Sequence, residues 1–96
     1  MKFMVNFRIH EDKRHEALKT FSQMTAEDDQ ADMGERVTLI GRWHDLASFT
    51  GVAIVESDDA QAIASWALNW NSSLDIEVTP VLDDEEAREV GRKKFK

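Results

Sequence analysis

The 96-residue chain has no cysteine and only one proline. Without cysteine, neither disulfides nor a thiolate metal cage can reinforce the fold. Domains usually run to roughly 100–200 residues, so this length makes one domain over residues 1–96. A chain this short buries only about two thirds of its unfolded surface. Association with a second copy is the remaining common way to gain buried area, so a homodimer is expected.

Long apolar runs are also missing. A signal peptide needs an apolar stretch of about 7–15 residues, whereas Asn6 and Arg8 interrupt Met1–Ile9. No segment approaches the roughly 18 apolar residues of a membrane span. The expectation is a cytoplasmic protein with no membrane partner. Clustered positive charge is scarce: the formal net charge is -7, and only Arg92–Lys96 is a basic cluster. A nucleic-acid partner is therefore not expected, because phosphate binding needs grouped Lys and Arg. No glycine-rich phosphate loop is present, and Ser22, Ser65, Ser72 and Ser73 lack a nucleophile-elbow context. No cofactor is implied.

What is present is periodic. Phe3, Val5, Phe7 and Ile9 alternate with Met4, Asn6, Arg8 and His10, which predicts a strand with one apolar face. Acidic Glu11 and Asp12 open a helix whose apolar stripe is Ala17, Leu18, Phe21 and Met24. Thr25–Glu35 lacks periodicity and reads as an acidic loop, with Thr25 and Asp28 spaced for a short helical turn. Val37–His44 and Ser48–Glu56 read as two strands joined by Asp45–Ala47, with Val37, Leu39, Gly41 and Trp43 on the apolar side. Gly41 and Gly51 weaken those strands, so each is expected to mark a bulge or a close approach. Asp58 is the expected cap of a helix ending at Trp70, with Gln61 three residues on. Leu74–Leu82 alternates as a last strand, placed at an edge or bulged by Pro80. Asp83–Lys94 is acidic at its start and basic at its end, a final helix followed by a short tail.

The order β-α-β-β-α-β predicts an α+β, ferredoxin-like domain with an antiparallel sheet and an extra C-terminal helix at 83–96. In that fold two helices cover one sheet face. The other face is then expected to carry Asn6, Arg8, Thr38, Arg42, His44, Glu56, Glu77 and Thr79, mixed with Met4, Ile40, Val52 and Ile54. A face that is half apolar and half charged suits a dimer interface enclosing a polar cavity. A single bulge would move every residue beyond it to the opposite side.

Several segments carry a resemblance: Met1–Ile9, Gly-Arg-Trp-His within Ile40–Asp45, Trp-Ala-Leu-Asn-Trp at Trp66–Trp70, and Thr79–Asp84. They resemble a family of small bacterial proteins classed as a domain of unknown function, over nearly the whole chain. That family is similar in layout to dimeric α/β-barrel proteins, in which two sheets face each other. The resemblance implies the fold and dimerisation, and it transfers no catalytic residue. Relatives by fold include cofactor-free monooxygenases, haem-degrading enzymes and non-catalytic dimers, and fold alone does not choose among them.

The residues are compatible with two chemistries. In the first, the open face binds a small anionic or aromatic metabolite. Arg8 and Arg42 anchor it, His44 and Asn6 supply hydrogen bonds, Ile40 and Ile54 form apolar walls, and Glu56 and Glu77 complete the surroundings. If a reaction occurs there, a cofactor-independent monooxygenase or isomerase with His44 as proton carrier is expected. In the second, Arg8 pairs with Glu56 or Glu77 and the protein is a non-catalytic structural or regulatory interaction module. No metal site is expected. His10 and His15 are five positions apart, one too many for a two-histidine helix site. Asp28, Gln30 and Asp32 resemble a calcium loop, but Met33 stands where its glycine belongs and Leu39 where its final Glu belongs. Trp66 and Trp70 are expected to be packing residues.

Overall fold

The computed structural model describes residues 1–96. Strand β1 (Lys2–Ile9) leads through a 3₁₀ turn at Glu11–Lys13 into helix α1 (Arg14–Ser22) and helix α2 (Ala26–Met33). Strands β2 (Thr38–Asp45) and β3 (Thr50–Glu56) follow, then helix α3 (Ala60–Trp70), strand β4 (Leu74–Val81) and helix α4 (Asp84–Lys94). The four strands form one antiparallel sheet in the order β2-β3-β1-β4. This is the ferredoxin-like arrangement, α+β with an added C-terminal helix. Pro80 sits on the edge strand β4, where its missing N–H breaks no ladder on the outer side.

The alternation of β1 decides which face is covered. Val5 is buried and lies between Ala53 of β3 and Val78 of β4. Together with Val37, Val55, Ile63, Trp66 and Met33 it forms the core, against which Phe3, Leu39 and Ile76 pack. Val55 is fully buried, and burying such a side chain stabilises the fold by about 1.5–3 kcal/mol.

Helix α2 corrects the expected loop. Thr25 accepts a hydrogen bond from the Asp28 backbone N–H while the Asp28 carboxylate accepts one from the Thr25 N–H, at 3.1 and 3.0 Å. This reciprocal cap starts a helix that its weak apolar pattern did not signal. Gly34 ends it with φ of 87°, a conformation that favours glycine. The cap of α3 is Asp59 rather than Asp58; its carboxylate accepts from the N–H groups of Gln61 and Ala62.

One irregularity governs the position of the site. Leu39 pairs with Val55, but Gly41 pairs with Ile54, so an extra residue enters β2 at Ile40. Beyond this bulge the facing of β2 reverses. Arg42 and His44 stand opposite Ala53 and Gly51, on the covered face, and Trp43 stands opposite Val52 on the open face. The expectation that Arg42 and His44 share the open face, with Trp43 in the core, is corrected by that inserted residue. Trp43 is 60% exposed, and its ring lies over Gly41.

Candidate functional site

The reversed half of β2 turns two polar side chains toward the helix side of the sheet, Arg42 partly buried and His44 exposed at the strand end. Between the covered sheet face and α1 and α3 lies a cavity of about 90 Å³. Its walls include Phe7 of β1, Phe21 of α1, Trp66 and Trp70 of α3, and Phe49 of the β2–β3 turn. Polar groups reach it from Asp32, Arg42, His44, Asp45 and Thr50. An apolar slot with few convergent polar groups is the usual form of a small-molecule site.

Phe49 is the one non-glycine residue with positive φ, at 57°. Its carbonyl accepts the Ile9 N–H at 2.9 Å, which ties the strained turn to the end of β1. The Arg14 guanidinium lies 5.4 Å from the centre of its ring. Opposite, Gly51 gives the Phe7 ring room that a Cβ would fill. The close approach expected at Gly51 is thus an aromatic ring of the cavity wall.

His44 stands at the rim. Its ring lies 4.9 Å from that of Phe21 and 5.7 Å from that of Phe7. Neither of its nitrogens has a hydrogen-bond partner within the chain. Burial lowers its pKa below the ordinary histidine value, and the adjacent Arg42 charge lowers it further. The imidazole is therefore neutral near pH 7, able to donate from one nitrogen and accept at the other.

Arg42 is already engaged. Its guanidinium donates to Asp29 of α2 at 2.8 Å and covers the Phe21 ring at 4.8 Å from the centroid. Its charge is matched locally and lies against an aromatic face, so it braces the wall of the cavity.

Asp32 is a residue that sequence reasoning placed only in a failed calcium loop. One carboxylate oxygen accepts from the indole N–H groups of Trp66 at 3.2 Å and Trp70 at 2.6 Å. The other accepts from the Asn69 amide at 3.1 Å, and the same amide donates to the Asp32 carbonyl at 3.0 Å. The available signal was the clustering of Trp66, Asn69 and Trp70 on successive helical turns. Two partly buried indoles need an acceptor, and an acidic neighbouring segment supplies it.

The remaining expected site residues lie elsewhere. Asn6, Arg8, Glu77, Ile54 and Glu56 share the open face by register, and Ile40 is exposed at the bulge. Arg8 is opposite Thr50 and Asp75, whereas Glu56 is opposite Lys2 and pairs with it at 3.9 Å. The expected Arg8 ion pair with Glu56 or Glu77 does not form. Lys2 and Arg8 are six strand residues apart, about 20 Å, which puts Glu56 beyond reach. Arg42 and His44 line the cavity beneath the helices, and His44 also lines, with Asn6, Arg8 and Glu77, a second and more open cleft at the end of the sheet; Glu56 lies apart from both.

His10 meets Asp75 at 3.0 Å, while the His15 ring lies beside Phe49. No group of three or more His, Cys, Asp or Glu side chains is arranged to hold a metal ion. No helix is long and apolar enough to cross a membrane.

No curated protein matches this sequence. A family model matches residues 1–95 of the chain. By that match the chain belongs to the family described as Domain of unknown function (DUF3303).

Proposed function

We propose that this protein is a cytoplasmic homodimer that binds a small, neutral, apolar or aromatic molecule between its sheet and helices, with the molecule's polar end at His44. The observation that carries the reading is the His44 imidazole set between the Phe7 and Phe21 rings at the rim of an aromatic-walled cavity, with its pKa lowered by burial and then by Arg42. A cavity of about 150 Å³ accommodates benzene. The present 90 Å³ therefore accepts one inserted end of a molecule rather than a whole ring system. An anionic ligand suits this cavity less well, because Asp29 occupies Arg42 and Arg8 is not part of the cavity wall. If the bound molecule carries an acidic hydroxyl, His44 is placed to accept its proton, which is the route to a cofactor-independent reaction.

Titration with p-cresol and with benzoate, followed by indole fluorescence of Trp66 and Trp70, tests the reading. Saturable binding of p-cresol, weakened about tenfold by His44→Ala and unchanged by Arg8→Ala, is expected for one hydrogen bond in an apolar site. Benzoate binding that depends on Arg8 would instead move the site to the open face. Absence of binding by both, together with no retained mass in native mass spectrometry of fresh protein, would favour an interaction module.

A further inference from the structure

Helix α4 buries none of its residues. The apolar residues in and beside it are open to solvent: Leu82 and Val90 are each 56% exposed and Phe95 is 85% exposed. An eight-residue strand spans about 26 Å, yet the molecule extends over 52 Å. The radius of gyration is 15.2 Å, against about 12.5 Å for a packed chain of this length. An element stands away from the sheet, and the unburied α4, about 16 Å long, is that element. The start of α4 is nonetheless fixed. Lys2 reaches Asp83 at 3.3 Å and Glu86 at 3.4 Å, and Asp83 and Glu86 cap each other's backbone.

The accessible surface is 6844 Å², whereas a folded monomer of 11.0 kDa exposes about 5,600 Å². The excess of about 1,200 Å² exceeds the roughly 800 Å² per partner of a standard interface.

The sequence of α4 is complementary to itself when reversed. Its first turn is Asp84, Glu85 and Glu86, and its last is Arg92, Lys93 and Lys94. Ala87, Val90, Gly91 and Lys94 recur at helical spacing along one side, with Asp84 and Phe95 at its margins. Two such helices packed antiparallel about Glu89 bring Asp84 opposite Lys94, Ala87 opposite Gly91, and Leu82 next to Phe95 at each end. Space beside Gly91 is open in the single chain, and the missing Cβ permits close approach of a neighbouring helix. A two-fold axis through the pair repeats every contact, which closes the assembly at two copies.

We propose that α4 is a self-association element that pairs antiparallel with α4 of a second copy. This inference specifies the contact within the homodimer of the proposed function and rests on that reading. The apolar seam is short, so the open sheet face with Ile40 and Trp43 supplies further area.

Sedimentation velocity of the full chain over a concentration series tests the pairing. The wild type is expected to dimerise, and Val90→Asp is expected to raise the dimer dissociation constant at least about tenfold. Asp84→Lys and Lys94→Asp each weaken the dimer by about three- to tenfold, and the double swap D84K/K94D restores it. Each swap alone opposes the helix dipole within its own chain, so only contact between chains explains recovery in the double variant. Circular dichroism verifies that the helix persists. A dimer indifferent to Val90→Asp and to both swaps overturns the α4 pairing and leaves the homodimer standing. Failure of the double swap to recover also overturns the pairing. A wild type that stays monomeric at hundreds of micromolar removes both.

Discussion

Arg42 of β2 and Asp29 of α2 are joined by a 2.8 Å ion pair whose side chains are only 16% and 18% exposed. Breaking such a pair leaves one charge buried alone, which costs more than removing both. The second Asp29 oxygen is already buried without a partner. Arg42→Met and Asp29→Leu are each expected to destabilise the protein by about 2–3 kcal/mol. The double variant should lose less than the sum, as measured by urea unfolding. Additive losses would mean the two side chains act independently.

Asp32 holds Trp66, Asn69 and Trp70 through charge-assisted hydrogen bonds. Asp32→Ala is expected to cost about 2–3 kcal/mol and to shift indole emission to the red. Asp32→Asn keeps one acceptor oxygen and should lose less. Unchanged emission in the alanine variant would show that the indoles do not depend on this carboxylate.

The two strand glycines should respond differently. A Cβ at Gly41 meets only the exposed Trp43 ring, which is free to swing away. A Cβ at Gly51 meets the Phe7 ring and the Trp43 backbone carbonyl, and the carbonyl is fixed by the sheet. Gly51→Ala is expected to destabilise by about 1–3 kcal/mol, and Gly41→Ala by clearly less. Thermal melts of the two variants decide the order.

His44 makes stability depend on pH in a definite direction. Its folded pKa is lowered by burial, then by Arg42, so between that value and the unfolded one, about 6.5, the unfolded chain binds more protons. Stability contributed by the neutral imidazole is complete above about pH 6.5 and falls as pH drops toward the folded pKa. His44→Gln should flatten the melting temperature between pH 7.5 and 5.5 relative to wild type. An identical slope in the variant would assign the acid sensitivity to other groups.

Sequence alone determined the order of the main elements, the covered face of β1 and β4, and the acidic start and basic end of α4, and it narrowed Pro80 to an edge or a bulge. These follow from patterns of period 2 and 3.6 and from local capping chemistry, which neighbouring residues carry among themselves. Helix α2 was half legible, because Thr25 and Asp28 announced a start that the polar stretch after them did not extend. The site was decided by tertiary structure. The alternation of Val37, Leu39, Gly41 and Trp43 is unbroken in the sequence, and only pairing with β3 inserts Ile40 as an extra residue. That insertion turns Arg42 and His44 toward the helix-covered side of the sheet, His44 remaining exposed at its end, while Arg8 stays on the open face. Asp29 and Asp32 likewise found their partners 13 to 38 positions away, a separation at which no local spacing rule operates. Periodicity records how a strand faces on average; which side each residue finally takes depends on its hydrogen-bonded neighbour.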